Sequence, residues 1–398
     1  MENNTSAKVA SVILAGGEGT RLFPLTQSRC KPDVCFAGQY HLIDIPLSNS
    51  LNSKIRNIFV LTQHFISSLH QHIYSTYPEG LFQNRSIQLI SPRERKMTFQ
   101  GTADAVRKSL DQIMASPFEY LLILSGDQLY QMDYNRLIDF AKNEGADLVI
   151  ATLEVPEAEA KRMGLLKLGA DSKITDFIEK PQDPEVLNQF VLPSGKYLGS
   201  MGIYVFKREA LAALLKEQGD DFGKHLIPSQ IKKGKTSAYV HEGYWEDIGT
   251  IASYHGAHLS LMTPDNWMAG YDREHPLYTP YHSPSPPMIK NTLVRDSLIN
   301  SGAIVEAKEV CRSVIGTNVK IKAGTIIYNT VISGDPPAEI GKDCLIRNAI
   351  IDSNTTIGDC VQLINKNNLE NYDGKGVYIR DGIIIVSSGT KLPSDFIL

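Results

Sequence analysis

The last third of the chain keeps a period of six, and few folds accept that period. Leu298, Ile304 and Val310 are six residues apart; after a one-residue slip so are Ile315, Ile321 and Ile327; after a loop so are Leu345, Ile351, Ile357 and Leu363. Gly316, Gly341 and Gly358 each follow an isoleucine, which gives an I-G-x-x-x-x signature. Half-buried strands repeat every two residues, so alternation in an antiparallel β-sandwich does not produce a recurrent I-G. Hexapeptide repeats do. Each would form one flat side of a three-sided parallel β-helix, with the aliphatic residue pointing inward. Stacked coils of this kind present long faces suited to self-association and small-molecule control.

The preceding residues follow a different grammar. From Val9 to about Met262, short apolar runs alternate with stretches of helical periodicity: SVIL (11–14), IFVL (58–61), YLLIL (120–124), DLVIATL (147–153) and GIYVF (202–206). Several are apolar at consecutive positions, as in strands covered on both faces, and the helical stretches supply crossovers. This predicts an α/β domain with a mainly parallel sheet over 1–262, a linker over 263–288 and the β-helix over 289–398. The linker carries Pro264, Pro276, Pro280, Pro284, Pro286 and Pro287 but also Trp267, Tyr271, Tyr278 and Tyr281, so it is expected to pack against something. Two domains also suit a chain of 398 residues, too long for one core.

Composition narrows the partners. Forty basic and forty-four acidic side chains give a net charge of −4, with no surplus to neutralise a nucleic acid backbone. No apolar run spans a bilayer and the start MENNTSAKVA lacks a signal-peptide order, so a cytoplasmic protein without membrane or nucleic acid partners is expected. Cys30, Cys35, Cys311, Cys344 and Cys360 never fall in C-x-x-C spacing and read as reduced thiols.

The strand SVIL runs into Ala15-Gly16-Gly17-Glu18-Gly19-Thr20-Arg21-Leu22, which puts a glycine turn at the carboxyl end of the first strand, where an open parallel sheet holds its ligand. The glycines admit positive φ and close approach of ligand oxygens, and Arg21 adds a fork suited to phosphate. The turn is not a Walker A loop and lacks the third glycine of the dinucleotide fingerprint. Arg21, Arg29 and Lys31, with Pro24 and Pro32 between and beside them, predict a polyphosphate cradle.

YLLIL ends in Ser125-Gly126-Asp127, so Asp127 projects from a buried strand end, a costly place for a charge unless it meets a cation. The alternative is that it caps the following turn, as aspartates often do. Asp247, in Tyr244-Trp245-Glu246-Asp247-Ile248-Gly249, is a second carboxylate that position alone does not separate from a turn aspartate. Glu179-Lys180-Pro181 closes a strand-like segment with a charged pair of a kind also common on surfaces. Gly101-Thr102 precedes an amphipathic run, where Thr102 can cap a helix and Gly101 can let a flat base approach.

The run L-A-G-G-E-G-T-R-L-F-P-L-T-x-x-R-x-K-P from Leu14 resembles the signature of sugar-phosphate nucleotidyltransferases. Tyr40-His41-Leu42-Ile43-Asp44-Ile45-Pro46-Leu47-Ser48-Asn49, FQGTADAVR (99–107), YLGSMGIYVF (197–206), DFGKHLIP (221–228), YWEDIGT (244–250) and YIRDGIIIV (378–386) resemble the ADP-glucose pyrophosphorylase branch. The likeness implies a Rossmann-like α/β domain followed by a left-handed parallel β-helix. It implies transfer of AMP from ATP to glucose 1-phosphate, giving ADP-glucose and pyrophosphate for glycogen or a starch-like glucan. Arg21, Lys31 and Asp127 become the catalytic residues, and Asp127 with Asp247 the Mg²⁺ ligands. Leu14, Ala15, Gly16, Gly17, Gly19, Thr20, Gln63, Phe99, Gly101 and Thr102 fall in the nucleotide site. Phe99, Gly164, Glu179, Lys180, Ser200 and Tyr204 fall in the glucose 1-phosphate site; for Ser200 the simpler reading is a small residue beside a strand. Arg29, Gln63 and Thr98 match positions that communicate regulation, with a phosphorylated-metabolite effector and a homotetramer implied. The chain departs from the family at Thr98 (usually Trp), Gln128 (His), Ser28 (a basic residue), His41 (Arg) and Ser353 (Lys in plant relatives), whereas Arg380 stays basic. These departures point to a different effector or a weak response. The same motifs also admit a sister enzyme using UTP, dTTP or GTP, and a non-catalytic regulatory subunit, although the latter tends to lose the phosphate ligands retained here.

Overall fold

The computed structural model describes residues 9–78, 80, 86–92, 97–169, 172–263, 266–268, 274–280 and 285–398. Pro264, Tyr271, Tyr281 and Pro284 of the linker lie outside the described residues.

The apolar runs of the first domain become one sheet. Its strands are β1 (Val9–Ala15), β2 (Asn57–Thr62), β3 (Ser86–Ile90), β4 (Tyr120–Ser125), β5 (Leu148–Val155), β6 (Gly164–Leu168), β7 (Ile174–Glu179), β8 (Tyr197–Lys207) and β9 (Thr236–Val240). The order is β7-β6-β8-β4-β1-β2-β3, with β5 against β8 and β9 against β5. All run in one direction except β7 and β8. Apolar side chains on both faces of β1 and β4 fill two cores, Ile13, Leu122 and Leu124 on one side and Val12, Leu121 and Ile123 on the other, which is why these strands read as continuous hydrophobic runs. The GIYVF run is one half of the longer β8, antiparallel to both β4 and β5. Its register with β5 breaks between Ser200 and Tyr204, and this irregularity opens the sheet where the cleft lies.

The sixfold period builds a parallel β-helix. One face stacks Met288–Ile289, Ile304–Val305, Lys320–Ile321, Glu339–Ile340, Thr356–Ile357 and Lys391–Leu392, all parallel. Two further columns complete the prism: Val294, Val310, Ile327, Ile346 and Leu363 on one side, and Ile299, Ile315, Ile332, Ile351 and Val386 on the other. At three positions the sequence expectation is displaced by one residue. Val305, Ile346 and Ile299 occupy the inward column, whereas Ile304, Leu345 and Leu298 face outward, because neighbouring strand residues point to opposite faces.

That alternation also shows how the domains join. On the Ile299–Val386 side, the outward residues Val314, Val331, Ile350 and Ile385 merge with the core of the α/β domain. The pairs Val314-Ile315, Val331-Ile332 and Ile350-Ile351 are therefore apolar on both faces, one toward the prism and one toward the other domain. The linker packs on the α/β domain: Trp267 stacks on Tyr244 at 5.5 Å, and Asn52 and Ser48 bond the backbones of Pro276 and Tyr278. No helix among the described residues is long and apolar enough to cross a membrane.

Candidate active site

The carboxyl ends of β1 and β4 are tied together, the Gly126 N–H donating to the Leu14 carbonyl at 3.0 Å. Beyond them opens a cleft of about 630 Å³. Its first wall begins with the glycine turn. Gly19 takes φ +70, and a β-carbon there would lie 2.8 Å from Lys31 Cβ, so the turn folds tightly against the 3-10 turn Lys31–Asp33. Thr26 closes the loop by donating to the Gly19 carbonyl at 2.9 Å.

Lys31 reaches both predicted carboxylates, with Nζ 2.7 Å from Asp127 Oδ2 and 3.4 Å from Asp247 Oδ1. Burial works against its ammonium, but the two carboxylates outweigh burial and hold its pKa above the ordinary lysine value. Burial likewise works against the Asp127 carboxylate, and Lys31 together with the Ser125 hydroxyl overcomes it, so this carboxyl titrates below the usual range. Asp247 arrives on the ribbon Trp245–Asp247, paired antiparallel to Gln128–Tyr130 with Asp247 opposite Gln128. The ribbon is what brings two aspartates distant in sequence to one cation. The Gln128 side chain, which stands where the family has His, accepts from Trp245 Nε1 at 3.3 Å.

The opposite wall is formed by β6, β7 and the segments beside them. A β-carbon on Gly164 would sit 2.8 Å from Glu179 Oε2, and one on Gly223 2.6 Å from the same atom, so two glycines make room for this carboxylate. Lys180 adopts φ 48, unusual for a side-chain-bearing residue, and is held there by its N–H bond to the Met163 carbonyl at 3.1 Å. Its Nζ lies 3.1 Å from Glu179 Oε1 while the side chain stays 59% exposed, a cation presented to the cleft. Ser200 and Tyr204 flank the sheet irregularity. The Ser200 hydroxyl accepts from the Gly202 N–H at 3.2 Å, and burial, then the Glu179 charge, pushes the Tyr204 phenol up.

Leu14, Arg21, Lys31, Thr102, Asp127, Gly164, Glu179, Lys180, Ser200, Tyr204 and Asp247 thus line one cavity. Ala15, Gly16, Gly17, Gly19 and Thr20 form the turn at its edge. Gln63 stands beside Gly16 and pairs with the Phe99 backbone, accepting from its N–H at 2.5 Å and donating to its carbonyl at 3.2 Å. Thr98 lies further out, its carbonyl taken by Lys108 at 2.7 Å.

Two local expectations change. Thr102 does not cap its helix α1 (Thr102–Lys108): its hydroxyl donates to Asp221 Oδ2 and accepts from the Phe222 N–H, while the Asp220 carbonyl takes the N–H groups of Ala103 and Asp104. A β-carbon on Gly101 would lie 2.4 Å from the Asp220 carbonyl oxygen, so the close approach of that backbone requires glycine here. Arg29 leaves the phosphate cradle altogether and crosses to the β-helix, where it meets Asp352 at 3.4 Å and the Ser353 hydroxyl at 2.9 Å.

The cleft also contains Glu159, Lys161 and Arg162, which the sequence did not single out, and Asp221 and Gly223, which entered only within the DFGKHLIP motif and without a site role. EAEAKR (157–162) reads as an exposed helical turn, and only folding against β6 turns it inward. Burial, then the Glu159 charge, pushes the Glu246 carboxyl up to about 7, against the pull of Arg162. Among the described residues no group of three or more His, Cys, Asp and Glu could hold a metal ion.

The family model described as nucleotidyl transferase matches residues 10–263, and that of the GLGC left-handed parallel beta-helix domain matches residues 284–397. Catalytic sheet, cleft and prism agree with both matches, and the chain therefore belongs to the nucleotidyl transferase family, in the two-domain architecture characteristic of ADP-glucose pyrophosphorylase-type sugar nucleotidyltransferases.

Proposed function

We propose that the chain transfers AMP from ATP to α-D-glucose 1-phosphate, releasing pyrophosphate and forming ADP-glucose for glycogen or a starch-like glucan. The observation supporting this reading is a single cleft with Arg21, Lys31, Asp127 and Asp247 on one wall and Glu179 with Lys180 on the other. Two anionic substrates need cations at both ends of one cavity, and a sugar needs a carboxylate acceptor beside its phosphate ligand.

A phosphate oxygen of the sugar phosphate attacks the α-phosphorus in line, and the bond to the β-phosphate breaks as pyrophosphate leaves. No protein nucleophile is required, so catalysis is alignment plus charge neutralisation. Arg21 and Lys31 bind the β- and γ-phosphates. Lys180 holds the phosphate of the sugar phosphate, and Glu179, fixed between Gly164 and Gly223, accepts from sugar hydroxyls. The nucleotide lies along the glycine turn, with Gln63 bracing the Phe99 backbone.

Two carboxylates converging on one cation suit Mg²⁺, which takes one or two protein carboxylates and completes its shell with phosphate oxygens and waters. Asp127 and Asp247 would hold it, and it would supply charge neutralisation at the phosphates. A homotetramer and control by a phosphorylated metabolite complete the reading, with Arg29, Gln63 and Thr98 as its communicating positions.

The test is pyrophosphate release with ATP, UTP, dTTP and GTP against glucose 1-phosphate, with and without phosphorylated metabolites. Turnover with ATP in clear preference is expected. Preference for another nucleotide would make the chain a sister enzyme, and no turnover under any condition would make it a regulatory subunit.

A further inference from the structure

Resting on that reading, we propose that Arg162 is a further substrate-binding residue, closing over the leaving pyrophosphate from the wall opposite Arg21 and Lys31. Arg162 stands just after the short helix Glu157–Ala160 and lines the cleft. One edge of its guanidinium is anchored by Glu159, with Nη1 3.3 Å from Oε2. The other edge faces inward. The space above Gly249 is bordered by groups from three segments: a β-carbon there would lie 3.1 Å from Arg162 Nη2, 3.3 Å from Asp247 Oδ2 and 3.6 Å from Arg21 Nη1.

Two guanidiniums bordering one space repel unless anionic charge lies between them, and Asp247 supplies a single carboxylate. A polyphosphate with several negative oxygens answers both forks, because guanidinium edges match phosphate geometry in bidentate fashion. The position favours pyrophosphate over the sugar phosphate. Lys180 presents its ammonium beside Glu179, whereas Arg162 shares its space with Arg21 and the Asp247 carboxylate. Glycine at 249 leaves that space clear.

The test is calorimetric titration of the full chain with Mg²⁺-pyrophosphate, alongside steady-state kinetics. Arg162→Ala is expected to weaken pyrophosphate binding about tenfold, the order expected for loss of a charge-assisted hydrogen bond, with KM for glucose 1-phosphate within about twofold of the parent. Arg162→Lys should recover part of the binding, since it restores charge without the fork. Gly249→Ala, which fills the shared space while keeping both arginines, should weaken pyrophosphate binding in the same direction. If the parent binds pyrophosphate and Arg162→Ala binds it equally well with an unchanged circular dichroism spectrum, the inference falls and the transferase reading stands. A rise in KM for glucose 1-phosphate with pyrophosphate binding intact would also overturn it. A parent chain that does not bind pyrophosphate would sink both.

Discussion

Arg21 and Lys31 on one side and Arg29 on the other come from the same short basic stretch, yet they end in two regions that treat charge in opposite ways. In the cleft, Lys31 is shared by two carboxylates that remain at the cavity surface, and Lys180 is largely exposed, so the site keeps charge available for ligands. At the domain junction Arg29 and Asp352 are 13% and 4% exposed, and Ser353 adds a further bond to the same guanidinium. The junction neutralises its charges internally, as a buried pair must. A basic side chain in a motif therefore says little about its use until its partners are known.

Four measurements would break or sharpen this contrast. The largest effect is expected in the cleft: Asp127→Ala should lower kcat by about 10³-fold or more while leaving the melting temperature near that of the parent, because on the proposed reading the residue serves charge at the phosphates and not packing. Near-normal kcat would remove the metal assignment. At the junction, Arg29→Ala should do the reverse. It leaves Asp352 buried without its cation and should cost about 3 kcal/mol in denaturant unfolding, with KM for both substrates little changed. A selective loss of substrate affinity without destabilisation would return Arg29 to the phosphate cradle.

Lys180→Ala is expected to raise KM for the sugar phosphate about tenfold or more, with kcat and KM for ATP nearly constant. Equal changes in both KM values would place Lys180 outside the sugar-phosphate half.

The last effect concerns pH at the junction side of the α/β domain. His258, on the helix α2 (Ile251–Ser260), is fully buried, accepts from the Ala37 N–H at Nε2 (3.1 Å) and donates from Nδ1 to the Tyr254 carbonyl (2.8 Å). Protonating Nε2 would aim one N–H at another. Burial, reinforced by His255 and only partly opposed by the Tyr254 carbonyl, lowers its pKa from 6.5 to about 3. A depressed histidine pKa means that the unfolded chain takes up the proton first. Stability from this group is complete above about pH 6.5 and falls by about 1.4 kcal/mol per unit as pH drops below it. Melting temperatures between pH 7 and 5 should show this slope reduced in His258→Gln, and an unchanged slope would place the titration elsewhere.

Much of the fold could be read from residue order. The sixfold recurrence around Ile315, Ile321 and Ile327 follows from one aliphatic residue per flat side, and the runs in β1 and β4 follow from burial on both faces. The one-residue displacement at Leu298, Ile304 and Leu345 arose because two aliphatic residues stand side by side there, and periodicity cannot choose between neighbours of the same type. The site was legible where a motif combined glycine, charge and a strand end, as at Arg21, Lys31 and Asp127. At Asp247 position alone did not separate a ligand from a turn aspartate and only the family resemblance singled it out, its distinction being a ribbon pairing with Gln128; the site was illegible at Arg162, whose sequence surroundings look like an ordinary solvated turn.

By itself the sequence determined the two architectures, their order along the chain and the glycine turn that opens the cleft, because these depend on hydrophobic period and backbone freedom, which are local properties. Only the tertiary structure decided which charges face one another: that Lys31 joins Asp127 to Asp247, that Arg29 turns to Asp352, and that Arg162 and Arg21 border the space above Gly249. The reason is physical. Coulomb and hydrogen-bond energies depend on distances between groups far apart in the chain, and those distances exist only once the sheet, its irregularity at Ser200–Tyr204 and the packed prism have set them.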